Sequence, residues 1–271
     1  MLVDEFDFVT APSADEVVAS LVRNGGCIIR NMITEQAILD EIEKDVRPYI
    51  NLDKPWIGVD FFPAETRRVM GLVGKSQAFT KNIPVNRLYR DVCSRLLAST
   101  YRAWLGYQLH TTVSEPQLSN TIVFSIGPGA KRQELHRDDS IHHNSLPELE
   151  SYHQYRIGRD SSVGLFVAGK KTTRANGATR FIPGSHLWGE DRCPDEELVH
   201  YAELEPGDAF LMLASCYHGG SANSTLNEER LVYSCFMTKG FLRQVGGAVS
   251  RVTDSYANDA AGRESISREL D

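Results

Sequence analysis

The chain has 271 residues, 41% of them hydrophobic and 24% charged, enough to enclose a sizeable core and ordinary for a globular protein. Its 29 basic and 36 acidic side chains leave a formal charge of −7, which argues against the basic face that nucleic-acid binding requires. No apolar run approaches the roughly 18–20 residues that cross a bilayer, so no membrane span is expected.

Cys27, Cys93, Cys193, Cys216 and Cys235 are scattered and contain no CxxC pair. That pattern is neither a disulfide framework nor a zinc finger, and it points to a reducing, cytoplasmic setting. The opening MLVDEFDFVT has no charged-then-apolar leader pattern. The closing Arg-Glu-Leu-Asp matches no strong retention or peroxisomal signal.

In chain order, Ser13 to Glu16 reads as a capping box, followed by Ala14, Val17, Val18, Leu21 and Val22 at helical spacing and a stop at Gly25-Gly26. Cys27 to Ile29 reads as a short strand. Thr34 is placed to cap a second helix carrying Ile38, Leu39, Ile42 and Val46 on one face. A third helix is expected over 86–103, with Leu88, Val92, Leu96 and Leu97 inward.

Beyond about residue 115 short strands and Gly/Pro turns take over: 121–126, 162–168, 180–182, 200–204, 209–213 and 231–236. Regularly spaced strands of this kind suggest a sandwich or barrel such as a jelly roll. The expected organisation is a single domain over 1–271. It comprises a helical N-terminal layer over about 1–110, a β core over about 111–245 and a polar peripheral tail over 246–271.

Chemistry concentrates in three places. In His136-Arg137-Asp138 the imidazole and carboxylate, two residues apart on extended backbone, project to one face and can chelate one ion. Alone, the pattern is as readily a surface ion pair. His218 follows a strand and precedes Gly219-Gly220, where small residues admit close approach of the backbone. Two imidazoles and one carboxylate on one face of an octahedral metal leave three positions open, which suits Fe(II). Arg230 opens the next strand, and a guanidinium is suited to gripping a dicarboxylate end-on.

The segments LHRDD (135–139), NGATRFIPGSH (176–186), GDAFLMLASCYHGGSANST (207–225) and Arg230, together with RRVMGLVGKS (67–76) and IGPGAKRQELHRDD (126–139), carry a specific resemblance. Over about residues 65–240 the chain resembles the phytanoyl-CoA hydroxylase-like Fe(II)/2-oxoglutarate dioxygenases. Within them it looks most like the fungal branch that tailors secondary metabolites such as meroterpenoids.

The resemblance implies a double-stranded β-helix (jelly-roll) core with N-terminal α-helices, mainly β overall. It implies His136, Asp138 and His218 as metal ligands and catalytic centre. It places the distal carboxylate of 2-oxoglutarate on Arg230, assisted by Gln133 and by Thr173, to which Thr172 is adjacent. The implied cofactors are Fe(II), 2-oxoglutarate and O₂, and the implied partner is a small hydrophobic substrate. The reaction would be hydroxylation, desaturation, rearrangement or peroxidation. Related halogenases lack the metal carboxylate, so Asp138 favours oxygenation over halogenation. Fungal relatives are often homodimers whose C-terminal parts cap the partner's site, a role open to the tail here.

Two other readings stay open at this stage. One is a non-catalytic family member serving as a structural or regulatory subunit. The other is a primary-metabolism hydroxylase, with an acyl-CoA substrate disfavoured by the lack of a basic cluster for its phosphates. His142 and His143 read as a lip of the site, His186 as part of a Pro-Gly-Ser-His turn, and Cys216 as a buried inert thiol. Met70, Leu72 and Phe79 read as core by default, with a pocket role as the alternative.

Overall fold

Helix α1 (Ala14–Asn24) begins at the expected capping box: Glu16 N–H donates to Ser13 Oγ at 3.3 Å, and Ser13 N–H donates to Glu16 Oε2 at 2.8 Å. It ends at Gly25, whose φ of +79° lets its N–H reach Leu21 C=O at 2.7 Å. These elements belong to a computed structural model describing residues 6–8, 10–55 and 63–244. The tail over 246–271 lies outside the described residues.

Helix α2 (Gln36–Leu52) buries Leu39, Ile42, Val46 and Ile50. Its N-cap is Glu35, with no side-chain cap bond, so Thr34 does not cap it. Helices α3 (Gln77–Asn82) and α4 (Arg87–Leu97) complete the layer, with Asn86 Oδ1 receiving Tyr89 N–H at 3.2 Å. The third helix therefore stops at Leu97 instead of 103. Thr100, Tyr101 and Trp104 are β-formers, and they enter a hairpin turned at Gly106, where φ is +61°.

The strands are β1 (Asp7–Phe8), β2 (Gly26–Ile29), β3 (Thr66–Met70), β4 (Ser99–Leu105), β5 (Gln108–Ser114), β6 (Gln117–Ile126), β7 (Ser162–Ala168), β8 (Thr179–Phe181), β9 (His200–Ala202), β10 (Ala209–Leu213), β11 (His218–Gly220) and β12 (Arg230–Thr238). A seven-stranded sheet has the order β1-β2-β10-β7-β12-β6-β3, and a three-stranded sheet has the order β11-β8-β9. From β7 onward the chain passes back and forth between these sheets, which is the winding of a double-stranded β-helix. The first 110 residues contribute β1, β2 and β3 to the large sheet as well as the helices.

Alternation along the strands gives the large sheet two buried faces. One face packs on the helices: Tyr89 of α4 is fully buried, its hydroxyl 2.9 Å from the carbonyl oxygens of both Val163 and Cys235, and it accepts Met237 N–H at 3.1 Å. The other face turns toward the small sheet. There Phe210 stacks against Phe181 with ring centroids 4.7 Å apart and lies 6.3 Å from Phe166. These rings close one end of the barrel and leave the other end open.

The outer start of β12 is held by charge. Glu229 receives Arg47 at 2.6 and 2.9 Å, Lys170 at 2.7 Å and the Ser125 hydroxyl at 2.5 Å. Burial pushes the Glu229 carboxyl up, but these donors outweigh it and bring it down to about 2. A depressed carboxyl stabilises the fold above its ordinary value of 4.5, and that stabilisation is lost as pH falls toward 2. Glu229→Gln is expected to cost about 2 kcal/mol at neutral pH and to flatten the dependence of stability on pH below about 4.5. Urea unfolding of both proteins across pH 3–7 measures it.

Candidate active site

Two distant segments meet at the open end of the barrel. His136 N–H donates to His218 C=O at 2.9 Å, and His218 N–H donates to His136 C=O at 3.0 Å. This isolated antiparallel bridge extends the small sheet by one residue beyond β11. Gly219 makes the approach feasible: a Cβ there would lie 3.0 Å from the carbonyl oxygens of both Gln133 and Glu134. Arg180 of β8, 2% exposed, locks the same region from behind. It donates to Gln133 C=O at 2.6 Å and to Gly220 C=O, and it pairs with Glu196 at 3.0 Å.

Asp138 opens a 3-10 turn over Asp138–His142. Its carboxylate oxygens sit 3.6 Å from His136 Nε2 and 3.7 Å from His218 Nε2, and one ligand atom from each of the three residues lies within 4.8 Å of the others. Asp139, next in the chain, is buried and ties this turn to the barrel: it accepts Asn144 Nδ2 at 2.8 Å and the Ser161 hydroxyl, while its N–H reaches Ala214 C=O at 3.1 Å.

Both histidines are oriented by main chain. His136 Nδ1 lies 2.9 Å from Glu134 C=O and His218 Nδ1 lies 3.0 Å from Cys216 C=O. A carbonyl only accepts, so each Nδ1 carries hydrogen and each Nε2 turns a lone pair toward Asp138. Burial, then the neighbouring His136, pulls the His218 imidazole down to about 4. It is therefore neutral near pH 7, as a ligand must be. Two imidazole nitrogens and a carboxylate, preformed on one side, fit a divalent transition metal.

A cavity of about 260 Å³ opens from this cluster into the barrel. At one end stands Arg230, buried at 4% exposure, its Nη2 donating to Thr179 Oγ1 at 2.6 Å. Its Nε is buried without a partner, and among the described residues no carboxylate pairs with it. Burial lowers its pKa to about 10, which leaves it charged at neutral pH. A buried unpaired cation is costly, and an anionic ligand would relieve that cost. The Ser221 hydroxyl lines the same cavity and is likewise buried without a partner.

Gln133 also lines the cavity. Its Oε1 accepts Gly220 N–H at 3.3 Å, which leaves its amide N–H groups for the interior. Thr173 does not line it. Its hydroxyl accepts Asn176 N–H at 3.2 Å, closing the turn before Gly177, and it borders a separate surface hollow beside Arg174. Thr172 is buried and bonds to Lys170 C=O at 3.2 Å. The threonine beside Arg230 is Thr179, which lies after the Asn176-Gly177 turn, where β8 rejoins the barrel.

Among the lesser candidates, His142 and Met70 line the cavity, whereas Leu72 and Phe79 are core. His186 is buried against Val22 C=O at 2.8 Å, after Gly184 with φ +81°. The Cys216 thiol is raised to about 12 by burial, which makes it inert. Thr179, Arg180 and Ser221 escaped the sequence reading, because one threonine, one arginine and one serine in polar turn-rich segments carry no pattern of their own.

Comparison with known proteins identifies the family. The phytanoyl-CoA dioxygenase (PhyH) family model matches residues 21–231. Dioxygenase himG of Aspergillus japonicus is 43% identical over 234 residues, 86% of this chain and 71% of himG. Dioxygenase peniF of Penicillium patulum is 43% identical over 232 residues, 86% of this chain and 74% of peniF. Among solved structures, the non-heme alpha ketoglutarate dependent carbocyclase SnoK from nogalamycin biosynthesis aligns with a TM-score of 0.61 at 14% identity, covering 89% of this chain and 93% of SnoK. HygX from Streptomyces hygroscopicus, with nickel and 2-oxoglutarate bound, aligns at 0.59 and 14% identity, covering 87% and 91%. With a family match across most of its length, a double-stranded β-helix and a His-Asp-His cluster at the barrel mouth, the chain belongs to the phytanoyl-CoA dioxygenase (PhyH) family.

Proposed function

We propose that the protein is an Fe(II)- and 2-oxoglutarate-dependent dioxygenase that oxidises a small hydrophobic natural product in a biosynthetic pathway. His136, Asp138 and His218 hold the iron, and Arg230 holds the far carboxylate of the co-substrate. The observation that carries this reading is the pairing, in one cavity, of an imidazole and carboxylate cluster with a buried guanidinium that has no anion of its own among the described residues. Bound iron with 2-oxoglutarate and O₂ supplies the oxidising power, releasing succinate and CO₂.

The protein's own groups do the rest. His136 and His218, held by Glu134 and Cys216 carbonyls, present Nε2 without reorganising. Arg230 and Thr179 fix the distal carboxylate, with the Ser221 hydroxyl as a further donor and the Gln133 amide nearer the metal. The phenyl rings of Phe124, Phe166 and Phe236 line the remaining space and exclude water from the reacting C–H bond. The five cysteines in the described residues are all free, and four are buried, which supports a reducing, cytoplasmic setting. Among the described residues no helix is long and apolar enough to cross a membrane.

Anaerobic addition of Fe(II) and 2-oxoglutarate is expected to give the weak visible charge-transfer band of the iron–keto acid chelate. His136→Ala removes the band. Arg230→Ala weakens co-substrate binding by roughly 100-fold or more, the scale of stripping a buried charged hydrogen-bond partner. Thr179→Val weakens it about 10-fold and Thr173→Val by less than 2-fold. Absence of the band from folded, metal-loaded wild-type protein overturns the reading and favours a non-catalytic partner subunit.

We also propose a homodimer. Among the described residues the β4–β5 hairpin pairs only with itself, and it exposes Tyr101, Trp104, Leu105 and Tyr107 by 68% or more. A lone two-stranded ribbon is marginal in water, and an apolar patch of this kind is characteristic of an interface. Sedimentation at micromolar concentration is expected to show a dimer that Trp104→Glu with Tyr107→Glu converts to monomer. A monomeric wild type refutes it.

A further inference from the structure

The end of the cavity away from Arg230 has a polar pair of its own. Strand β6 lines the cavity with a row of alternate residues, Ile126 opposite Arg230, then Phe124, Ile122 and finally Asn120 opposite Phe236, and with Ser119 beside Asn120. At about 3.3 Å per residue, Asn120 stands roughly 20 Å along the strand from the Arg230 end. It is the one polar member of this row and is 8% exposed.

Its orientation is set. Asn120 Oδ1 accepts the Thr121 N–H at 2.8 Å, while the Thr121 hydroxyl accepts Leu72 N–H at 2.9 Å. The two amide hydrogens of Asn120 are left for the cavity, and no described residue takes them.

His142 also lines the cavity, at the Phe236 end of β12. The Thr238 hydroxyl, two residues beyond Phe236, donates to Ser161 C=O at 2.8 Å, so toward His142 Nε2, 3.4 Å away, it only accepts. Nε2 therefore carries the hydrogen, and Nδ1 is left as an acceptor. A donor and an acceptor thus stand near one phenyl ring, with Ser119 and Ser162 the other polar side chains at this end of the cavity. Apart from the His-Asp-His cluster, Arg230 and the exposed Lys131, no Asp, Glu, Lys or Arg among the described residues lines the cavity.

We infer that this end receives an amide-type group of the substrate, a carbonyl beside an N–H on an apolar ring system, with Asn120 donating to the carbonyl and His142 Nδ1 accepting the N–H. The inference takes the dioxygenase reading for the other end of the cavity, and it names the substrate class as neutral ring compounds bearing a lactam or secondary amide. A buried polar pair of this kind discriminates strongly, because a hydrocarbon leaves both groups unpaired. Asn120 and His142 are specificity residues here and take no part in the oxidation.

The test uses the full chain and three probes: isoquinolin-1(2H)-one, its N-methyl derivative and naphthalene. Dissociation constants are read by ligand-observed NMR. The wild type is expected to bind the lactam about 10-fold more tightly than naphthalene and severalfold more tightly than the N-methyl form. Asn120→Leu brings the lactam-to-naphthalene ratio within 2-fold. His142→Phe removes the discrimination against the N-methyl form. Both variants keep the anaerobic iron–keto acid band, which shows the fold and the cofactor end intact. Equal binding of lactam and naphthalene by the wild type, or ratios unchanged in both variants, overturns the inference. A missing band with the expected ratios brings down the dioxygenase reading and leaves the amide site standing.

Discussion

The reciprocal hydrogen bonds between the His136 and His218 main chains, at 2.9 and 3.0 Å, join a loop leaving β6 to a three-residue strand far along the sequence. Everything at the barrel mouth follows from that contact. It stacks the two imidazoles with ring centroids 4.4 Å apart and places Asp138 two residues on, where its carboxylate faces both. The bridge forms only because Gly219 has no Cβ and because Arg180 satisfies the carbonyls of Gln133 and Gly220 from behind. A preformed site of this kind needs little reorganisation to receive a metal, which is what fixed ligand geometry contributes in metalloenzymes.

The second constraint is electrostatic. Among the described residues Arg230, buried and cationic, has only Thr179 as a partner, and the fold tolerates that charge because neighbouring elements carry the cost. On the outer side Glu229, gripped by Arg47 and Lys170, pins the start of β12 so that the guanidinium cannot swing out to water. On the inner side it sits at one end of a cavity whose opposite end is apolar apart from a few polar groups. The same strands, β6 and β12, carry the charged end and the apolar end, so the chemistry of the pocket is graded along one sheet.

Much of this is legible in the sequence. Alternating strands punctuated by Pro-Gly and Gly-Gly turns pointed to a jelly roll, and the order HxD, then His, then Arg marked the residues that the fold brings to one cavity. What stayed hidden has physical causes. The segment over 99–103 reads as helical because Leu88, Val92, Leu96 and Leu97 extend so cleanly. Yet the hairpin is decided by its pairing with 108–114, a tertiary override of local pattern. Thr34 lost the cap of α2 to Glu35 because the chain there is held by Ile33 N–H on Gly207 C=O at 3.0 Å. Thr173 lies one turn too early: its hydroxyl is spent on Asn176, and only after Gly177, at φ +108°, does the chain turn Thr179 inward to Arg230. Single threonines carry no spacing signal, so sequence alone had no means of choosing between them.

The most direct test of the central claim is a diffraction experiment on anaerobic crystals grown with Mn(II) in place of iron and with 2-oxoglutarate, using the anomalous signal to locate the metal. The account predicts one metal bonded to His136 Nε2, His218 Nε2 and an Asp138 oxygen, with the distal carboxylate of 2-oxoglutarate on Arg230. A metal bound elsewhere, or a co-substrate whose distal carboxylate avoids Arg230, would contradict it.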